Sequence, residues 1–166
     1  MTAETDEGPA RRARLTAEIV EQTGIDEALI GKLVHTFYAS IREDALLGPI
    51  FEAQVEDWDK HLDRMCAFWS SVTLMTGRYH GQPMRAHAPL GISGAHFDNW
   101  LALFSATAKD VCTATAADHF IERAHKIAQS LELGIAMQRG VSLKPGERLE
   151  ALKSTAADPA GRITSA

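Results

Sequence analysis

Apolar residues recur every three or four positions along four stretches of the chain, which is the period of an amphipathic α-helix. The stripes are Ile25, Leu29, Leu33, Phe37 and Ile41; Trp58, Leu62, Met65, Trp69 and Val72; Phe97, Trp100, Phe104, Ala108 and Val111; and Phe120, Ala124, Ile127, Leu131 and Ile135. No run of strand length alternates apolar and polar residues. The pattern therefore predicts an all-α domain with four main helices.

Two breaks in the stripes are informative. After the first stripe, Leu47-Gly48-Pro49 predicts a helix end, and Ile50-Phe51 then places two apolar residues in what we expect to be a tight corner. Residues 77–94 form a longer irregular segment with several glycines and prolines, and such connections are usually functional or mobile.

Within that segment, Pro83 and Pro89 confine His87 to about one turn of helix. Pro is tolerated at a helix start, and the residue before a Pro avoids the helical region, so the turn must close by Ala88. A histidine held in this way could serve as a metal ligand. The alternative is a surface loop histidine that happens to lie between prolines.

Composition limits the class of protein. The chain has 166 residues, 45% of them hydrophobic, which suits one domain at residues 15–141 between two flexible extensions, 1–14 and 142–166. The net charge of -5 provides no basic surface for nucleic acid, and no run is long enough to span a membrane. Cys66 and Cys112 form no Cys-x-x-Cys motif, which favours a reduced, cytoplasmic protein.

Motifs of the common enzyme classes are missing from the sequence. The seven histidines form no His-Glu-x-x-His motif, and there is no phosphate-binding loop, dinucleotide-binding glycine pattern or nucleophile elbow. What remains are polar groups within apolar helix faces, namely Tyr38, His61 and Trp100. Each alone is typical of a core, whereas together they suggest an apolar cofactor pocket with converging hydrogen-bond donors.

Over about residues 25–140 the chain resembles the group III truncated haemoglobins, a family of small bacterial globins. The resemblance rests on Phe37-Tyr38, Leu47-Gly48-Pro49-Ile50-Phe51, Trp58-x-x-His61, Phe68-Trp69, the segment from Tyr79-His80-Gly81-Gln82-Pro83 to His87, and His96-Phe97-Asp98-Asn99-Trp100-Leu101. It implies a two-over-two helical sandwich around a haem. Without a Cys-x-x-Cys-His motif, that haem would be a noncovalently held haem b with its iron.

The resemblance also implies roles for individual residues. His87 takes the place of the proximal histidine on the haem iron, and Tyr38, His61 and Trp100 take the distal places that face bound gas. His61 could instead coordinate the iron as a sixth ligand or act as a gate. The other haem-pocket positions are Phe37, Phe51, Arg64, Met65 and Phe68. The chain departs from the family in its two extensions and in the glycine-rich link Gly91-Ile92-Ser93-Gly94.

The expected function is binding of O2, NO or CO. Charge-assisted hydrogen bonds contribute about 1.5 to 3 kcal/mol each, so two distal donors in the lower part of this range would slow O2 release by roughly 10²- to 10³-fold. This favours trapping, sensing or redox chemistry over O2 transport. NO dioxygenation or peroxidase-like turnover stays open and would need a separate reductase, since the chain has no flavin or nicotinamide motif. The alternatives are a cofactor-free helical interaction domain and a nonhaem metal enzyme that uses His61 and His87.

Overall fold

The computed structural model describes residues 7–152, and within them all regular structure is helical. The helices are α1 (Glu7–Thr23), α2 (Glu27–Glu43), α3 (Gly48–Gln54), α4 (Trp58–Leu74), α5 (Pro83–His87), α6 (Gly94–Val111) and α7 (Ala114–Gln138). One turn of 3-10 helix, Ala88–Leu90, follows α5. The predicted all-α class is confirmed, and the four apolar stripes lie in α2, α4, α6 and α7. None of the described helices is long and apolar enough to cross a membrane.

Short polar side chains begin the main helices. Asp26 accepts a hydrogen bond from the Leu29 backbone N–H at 2.8 Å, and Thr113 accepts one from Ala116 at 3.3 Å. Asp57 does the same at the start of α4. These N-caps satisfy backbone donors that have no partner inside the helix, so each helix begins at a position that the sequence specifies locally.

The four helices that carry the stripes form two packed pairs, α2 with α4 and α6 with α7, and the first pair lies across the second through α2–α6 and α4–α7 contacts. A column of aromatic rings joins them. Trp69 of α4 stacks on Phe104 of α6 with ring centroids 4.7 Å apart, and Phe104 stacks on Trp100 at 5.1 Å. The arrangement is a two-over-two helical sandwich.

Buried apolar residues fall into two clusters. The larger is centred on α2, α4 and Phe104, and the smaller contains Ile92, Phe97 and Ile135. Leu101 and Ile127 are partly buried and pack against both clusters. These two residues of α6 and α7 therefore connect the two clusters.

The tight corner expected at residues 47–51 is wrong, because these residues open the short helix α3. Pro49 suits its first turn, where a backbone N–H is not needed. Gly48 is required there, since a Cβ atom would lie 2.8 Å from the Arg42 carbonyl oxygen and 3.2 Å from that of Ile41. This close approach fixes α3, and with it Phe51, against the end of α2.

The described parts of the two expected extensions, residues 7–14 and 142–152, contact or continue the domain. The boundary expected after residue 14 lies inside α1, whose Ile19 and Val20 pack against the larger cluster. Leu149, in the expected C-terminal extension 142–166, is only 4% exposed and belongs to the smaller cluster. Residues 142–152 contain few apolar side chains. They nevertheless pack against the helices, and the hydrogen bonds and ion pairs described below hold them there. Residues 1–6 and 153–166 of the two extensions lie outside the described part.

Candidate functional site

Four rings from three helices meet at one end of α2. Tyr38 of α2 lies edge-on to His61 of α4, with ring centroids 5.1 Å apart, and to Phe51 of α3 at 5.7 Å. Trp58, one turn before His61, packs edge-on to it at 5.6 Å. Tyr38, Phe51, Trp58 and His61 are called the distal cluster below.

The distal cluster contains polar atoms without partners. The Trp58 Nε1 and His61 Nε2 atoms are buried, and neither makes a hydrogen bond within residues 7–152. Leaving a buried polar group unpaired costs about 1–3 kcal/mol, so such atoms usually mark strain, an ordered water or a ligand. These two nitrogens are free to pair with a small molecule.

Burial sets the charge of the cluster. It raises the pKa of the Tyr38 phenol far above neutral pH, with a smaller effect from the nearby Cys66 thiol. Burial also lowers the pKa of His61, and the Arg64 cation lowers it further. At neutral pH the phenol therefore keeps its proton as a donor, and the imidazole is uncharged, which is the form that can bind a metal.

Trp58 is held from its outer side. The Arg42 guanidinium carbon lies 4.4 Å from the centroid of the Trp58 ring, and Arg42 Nε donates to Glu52 Oε1 at 2.8 Å. A cation over an indole face is attracted by the ring quadrupole. Residues of α2 and α3 thus fix the ring that borders His61.

Trp100 lies next to the distal cluster and not within it. Its ring is edge-on to Phe37 at 5.2 Å and stacks on Phe104, and Phe37 in turn lies 5.1 Å from Tyr38. Trp100 is half-buried. One aromatic ring, Phe37, therefore separates it from Tyr38.

His87 lies at the end of α5, the single turn that the two prolines predict. Its Nδ1 atom is 2.6 Å from the Pro83 carbonyl oxygen, one turn earlier. Because a carbonyl can only accept, Nδ1 carries a proton, so Nε2 is the nitrogen with the lone pair in the neutral form of the ring. The ring is half-buried, and α5 makes its extended contact with α7. The imidazole is thus oriented by its own helix, with one nitrogen uncommitted.

The remaining sequence-predicted residues lie on α4. Met65 and Phe68 are half-buried against the larger cluster, and Phe68 is edge-on to Tyr79 at 5.2 Å. Arg64 is exposed. The structure thus brings Tyr38, Phe51 and His61 together, with Phe37 linking Trp100 to them, and it places His87 on a separate helix.

Sequence reasoning did not assign a site role to Trp58. Its signal was present, because a residue three positions before His61 shares the same helix face. What the sequence could not reveal is that the indole N–H is buried without a partner.

Two surface cavities, of about 240 and 490 Å3, lie along α6 and α7 and beside α5, and the distal cluster lines neither. Residues 7–152 hold no group of three or more His, Cys, Asp or Glu side chains placed to bind a metal ion. A haem asks for only one protein ligand, so a haem site does not require such a group.

A two-over-two helical sandwich with an aromatic, donor-bearing cluster and one uncommitted imidazole is the arrangement of a small globin. The bacterial-like globin family model matches residues 18–132. A group 3 truncated hemoglobin of Campylobacter jejuni is 32% identical over 113 residues, which cover 65% of this chain and 89% of the relative. The crystal structure of a group III truncated hemoglobin from Campylobacter jejuni aligns with a TM-score of 0.61, at 32% identity, over 64% of this chain and 88% of that chain.

The chain therefore belongs to the group III truncated haemoglobins, within the bacterial-like globins. It is a haem-binding globin, and the family suggests small diatomic ligands such as O2. The residues present fit the group. His87 Nε2, which makes no hydrogen bond within residues 7–152, and the unpaired buried nitrogens of the distal cluster are the kinds of group that a haem iron and its gas ligand use.

Proposed function

We propose that His87 is the proximal ligand of a noncovalently bound haem b, and that the distal cluster with Trp100 holds a diatomic ligand. The observation that carries the proposal is the 2.6 Å contact between His87 Nδ1 and the Pro83 carbonyl oxygen. Iron-bound histidines commonly donate their other ring N–H to a carbonyl, which fixes the tautomer and the ring orientation. When bound, the haem iron supplies the site at which O2, NO or CO binds.

The distal residues act as hydrogen-bond donors. Tyr38 keeps its phenolic proton because burial raises its pKa, and the Trp58 indole N–H has no hydrogen-bond partner within residues 7–152. Several donors next to one small ligand retain it more strongly than an apolar wall would. This supports ligand trapping, sensing or redox chemistry with O2, NO or peroxide more than O2 transport.

His61 has a neutral imidazole because burial and Arg64 lower its pKa. In this form it can donate to the ligand from one nitrogen, or it can turn to bind the iron as a sixth ligand. NO dioxygenase or peroxidase-like turnover would need electrons from a separate reductase. The two free cysteines, Cys66 and Cys112, support a location in the reducing cytoplasm.

The proximal assignment is tested by His87→Gly in the full-length protein, with His80→Gly as the matched control. His80 lies seven residues earlier and is exposed. We expect His87→Gly to lose or loosen haem and to recover a ferrous haem spectrum when imidazole is added, whereas His80→Gly keeps the wild-type spectrum. An unchanged ferrous spectrum in His87→Gly would refute the assignment.

Haem uptake by the wild-type protein distinguishes a globin from a cofactor-free interaction domain. We expect the purified wild-type protein reconstituted with haem to show a Soret band that shifts on addition of CO. A protein that takes up no haem under these conditions would remove the proposal altogether.

A further inference from the structure

The segment after α7 turns back over the molecule. Residues 141–152, called the C-terminal strap, reach the glycine-rich link 91–94 that joins the His87 region to α6. The Gly94 backbone N–H donates to the Leu149 carbonyl oxygen at 2.7 Å, and Leu149 is buried against Ile92 and Phe97. The strap is therefore attached to the link by backbone pairing and by apolar contact.

Arg148 fastens the strap to two helices. Its guanidinium donates to Asp98 of α6 at 2.8 Å and 2.9 Å, to Glu132 of α7 at 3.0 Å, and to the Gly94 carbonyl oxygen at 3.0 Å. A planar guanidinium suits such simultaneous pairing with carboxylates and a carbonyl. One side chain thus connects the link, α6 and α7.

Glu132 gives this attachment its strength. Its side chain is only 10% exposed, and its partners are Arg148 and the Leu149 backbone N–H at 2.9 Å, both in the strap. A buried carboxylate needs compensation by a cation and by hydrogen bonds. The described part of the chain therefore supplies that compensation through the strap.

The link itself is shaped for this contact. Gly91 has φ +67°, a conformation that favours glycine, and it ends the 3-10 turn that follows His87. A Cβ atom on Gly94 would lie 2.9 Å from Glu132 Oε1 and 3.1 Å from Arg148. Arg139, just after α7, adds a hydrogen bond to the Ile92 carbonyl oxygen at 3.1 Å and a longer one to that of Glu150.

Two features of this chain that depart from the family pattern thus contact each other. The family match ends at residue 132, before the strap begins, and the glycine-rich link is the other departure. Only the 3-10 turn Ala88–Leu90 separates the link from His87.

We infer that the strap positions the proximal side of the haem site, with Arg148 as a positioning residue that fixes the link and so the orientation of His87. This rests on the proposed role of His87. The inference predicts that loosening the strap changes the bond between His87 and iron while the distal cluster stays as it is.

The test uses full-length, haem-loaded Arg148→Met. Hydrogen exchange of peptides covering residues 88–97 should be several-fold faster than in the wild type. The Fe–His stretching band of the ferrous protein, measured by resonance Raman spectroscopy, should shift or broaden, while the C–O stretching band of the CO complex should stay unchanged. Arg148→Lys should restore the wild-type band in part, because it keeps the charge but not the planar fork.

Lys126→Met is the control, since the Lys126 side chain is 64% exposed and pairs with a carboxylate, Glu122 of its own helix α7. Lys126 does not pair with the strap, so its variant should leave the Fe–His band unchanged. If Arg148→Met does not fold, the double variant Arg148→Met/Glu132→Gln replaces it, because a neutral amide avoids an unpaired buried charge.

An unchanged exchange rate, or faster exchange with an unchanged Fe–His band, would overturn the inference. Failure of the proposed function is a distinct result: His87→Gly would then keep its spectrum, whatever the strap does to exchange at residues 88–97.

Discussion

Removing the Tyr38 hydroxyl is the most direct test of the distal donors. Tyr38 is 5% exposed, and its ring lies edge-on to Phe37, Phe51 and His61. Phenylalanine keeps all of these ring contacts, so Tyr38→Phe removes one hydrogen-bond donor and leaves almost no cavity. The variant therefore measures the hydroxyl alone.

The expected magnitude follows from that single loss. A hydrogen bond to a ligand that has gained charge contributes about 1.5 to 3 kcal/mol, which corresponds to a roughly 10- to 100-fold change in rate. We expect O2 to dissociate from Tyr38→Phe faster than from the wild type by this factor. Association should change less, because the pocket keeps its shape.

Stopped-flow replacement of O2 by CO measures the dissociation rate. Tyr79→Phe is the matched control, because Tyr79 is the only other tyrosine and packs on Phe68, outside the distal cluster. Its dissociation rate should equal that of the wild type. Because Tyr38 and His61 are in contact, we expect the effects of Tyr38→Phe and His61→Leu to be non-additive in the double variant. Equal rates in wild type, Tyr38→Phe and the double variant would refute the donor argument.

Three further predictions concern stability and reactivity. Trp69→Ala should lower the free energy of unfolding by about 3–5 kcal/mol in urea titrations, because the ring is 2% exposed and stacks on Phe104. Met137→Ala, at a 76% exposed position, should change this free energy little, and equal effects of the two substitutions would contradict the packing. Burial, and to a lesser extent Arg123, lower the pKa of His119 in the folded protein, so near pH 6.5, the ordinary pKa of histidine, the unfolded chain binds more protons than the folded one. The free energy of unfolding should therefore decrease as the pH is lowered from 7.5 to 5.5, and it should decrease less in His119→Gln. An identical pH dependence in the two proteins would contradict this. Burial also raises the pKa of Cys66 and Cys112, so iodoacetamide should modify both slowly at pH 7 and faster above pH 9, as mass spectrometry can follow; rapid modification at pH 7 would be the contrary result.

Local rules were sufficient for the helices and for the turn around His87. The stripes have a helical period, Asp26 caps its own helix, and prolines restrict the backbone wherever they occur, so none of these features depends on distant residues. The resemblance to truncated haemoglobins predicts distal roles for Tyr38, His61 and Trp100, which stay predictions, and the structure shows Tyr38 and His61 in contact.

Features that depend on distant partners were missed. The docked strap depends on Arg148 reaching Glu132 and Asp98, which are 16 and 50 positions away, and no sequence pattern marks that pairing. Helix α2 ends at Glu43, before Leu47-Gly48-Pro49, but Gly48 and Pro49 also begin α3, so Ile50-Phe51 lies in a helix and not in the expected corner. The sequence motif contains Trp58 but does not predict that its N–H is buried, because this burial depends on the packing of α2, α3 and α4.

The distal cluster contains two ionisable rings, and burial pushes both toward their uncharged forms. An anion that entered would lose its hydration and meet no opposite charge on either ring, whereas a neutral diatomic molecule has little hydration to lose. In the proposed site, the two uncharged rings would therefore favour a neutral ligand over an anion near neutral pH. That preference would depend on the same burial that keeps the Tyr38 phenol protonated.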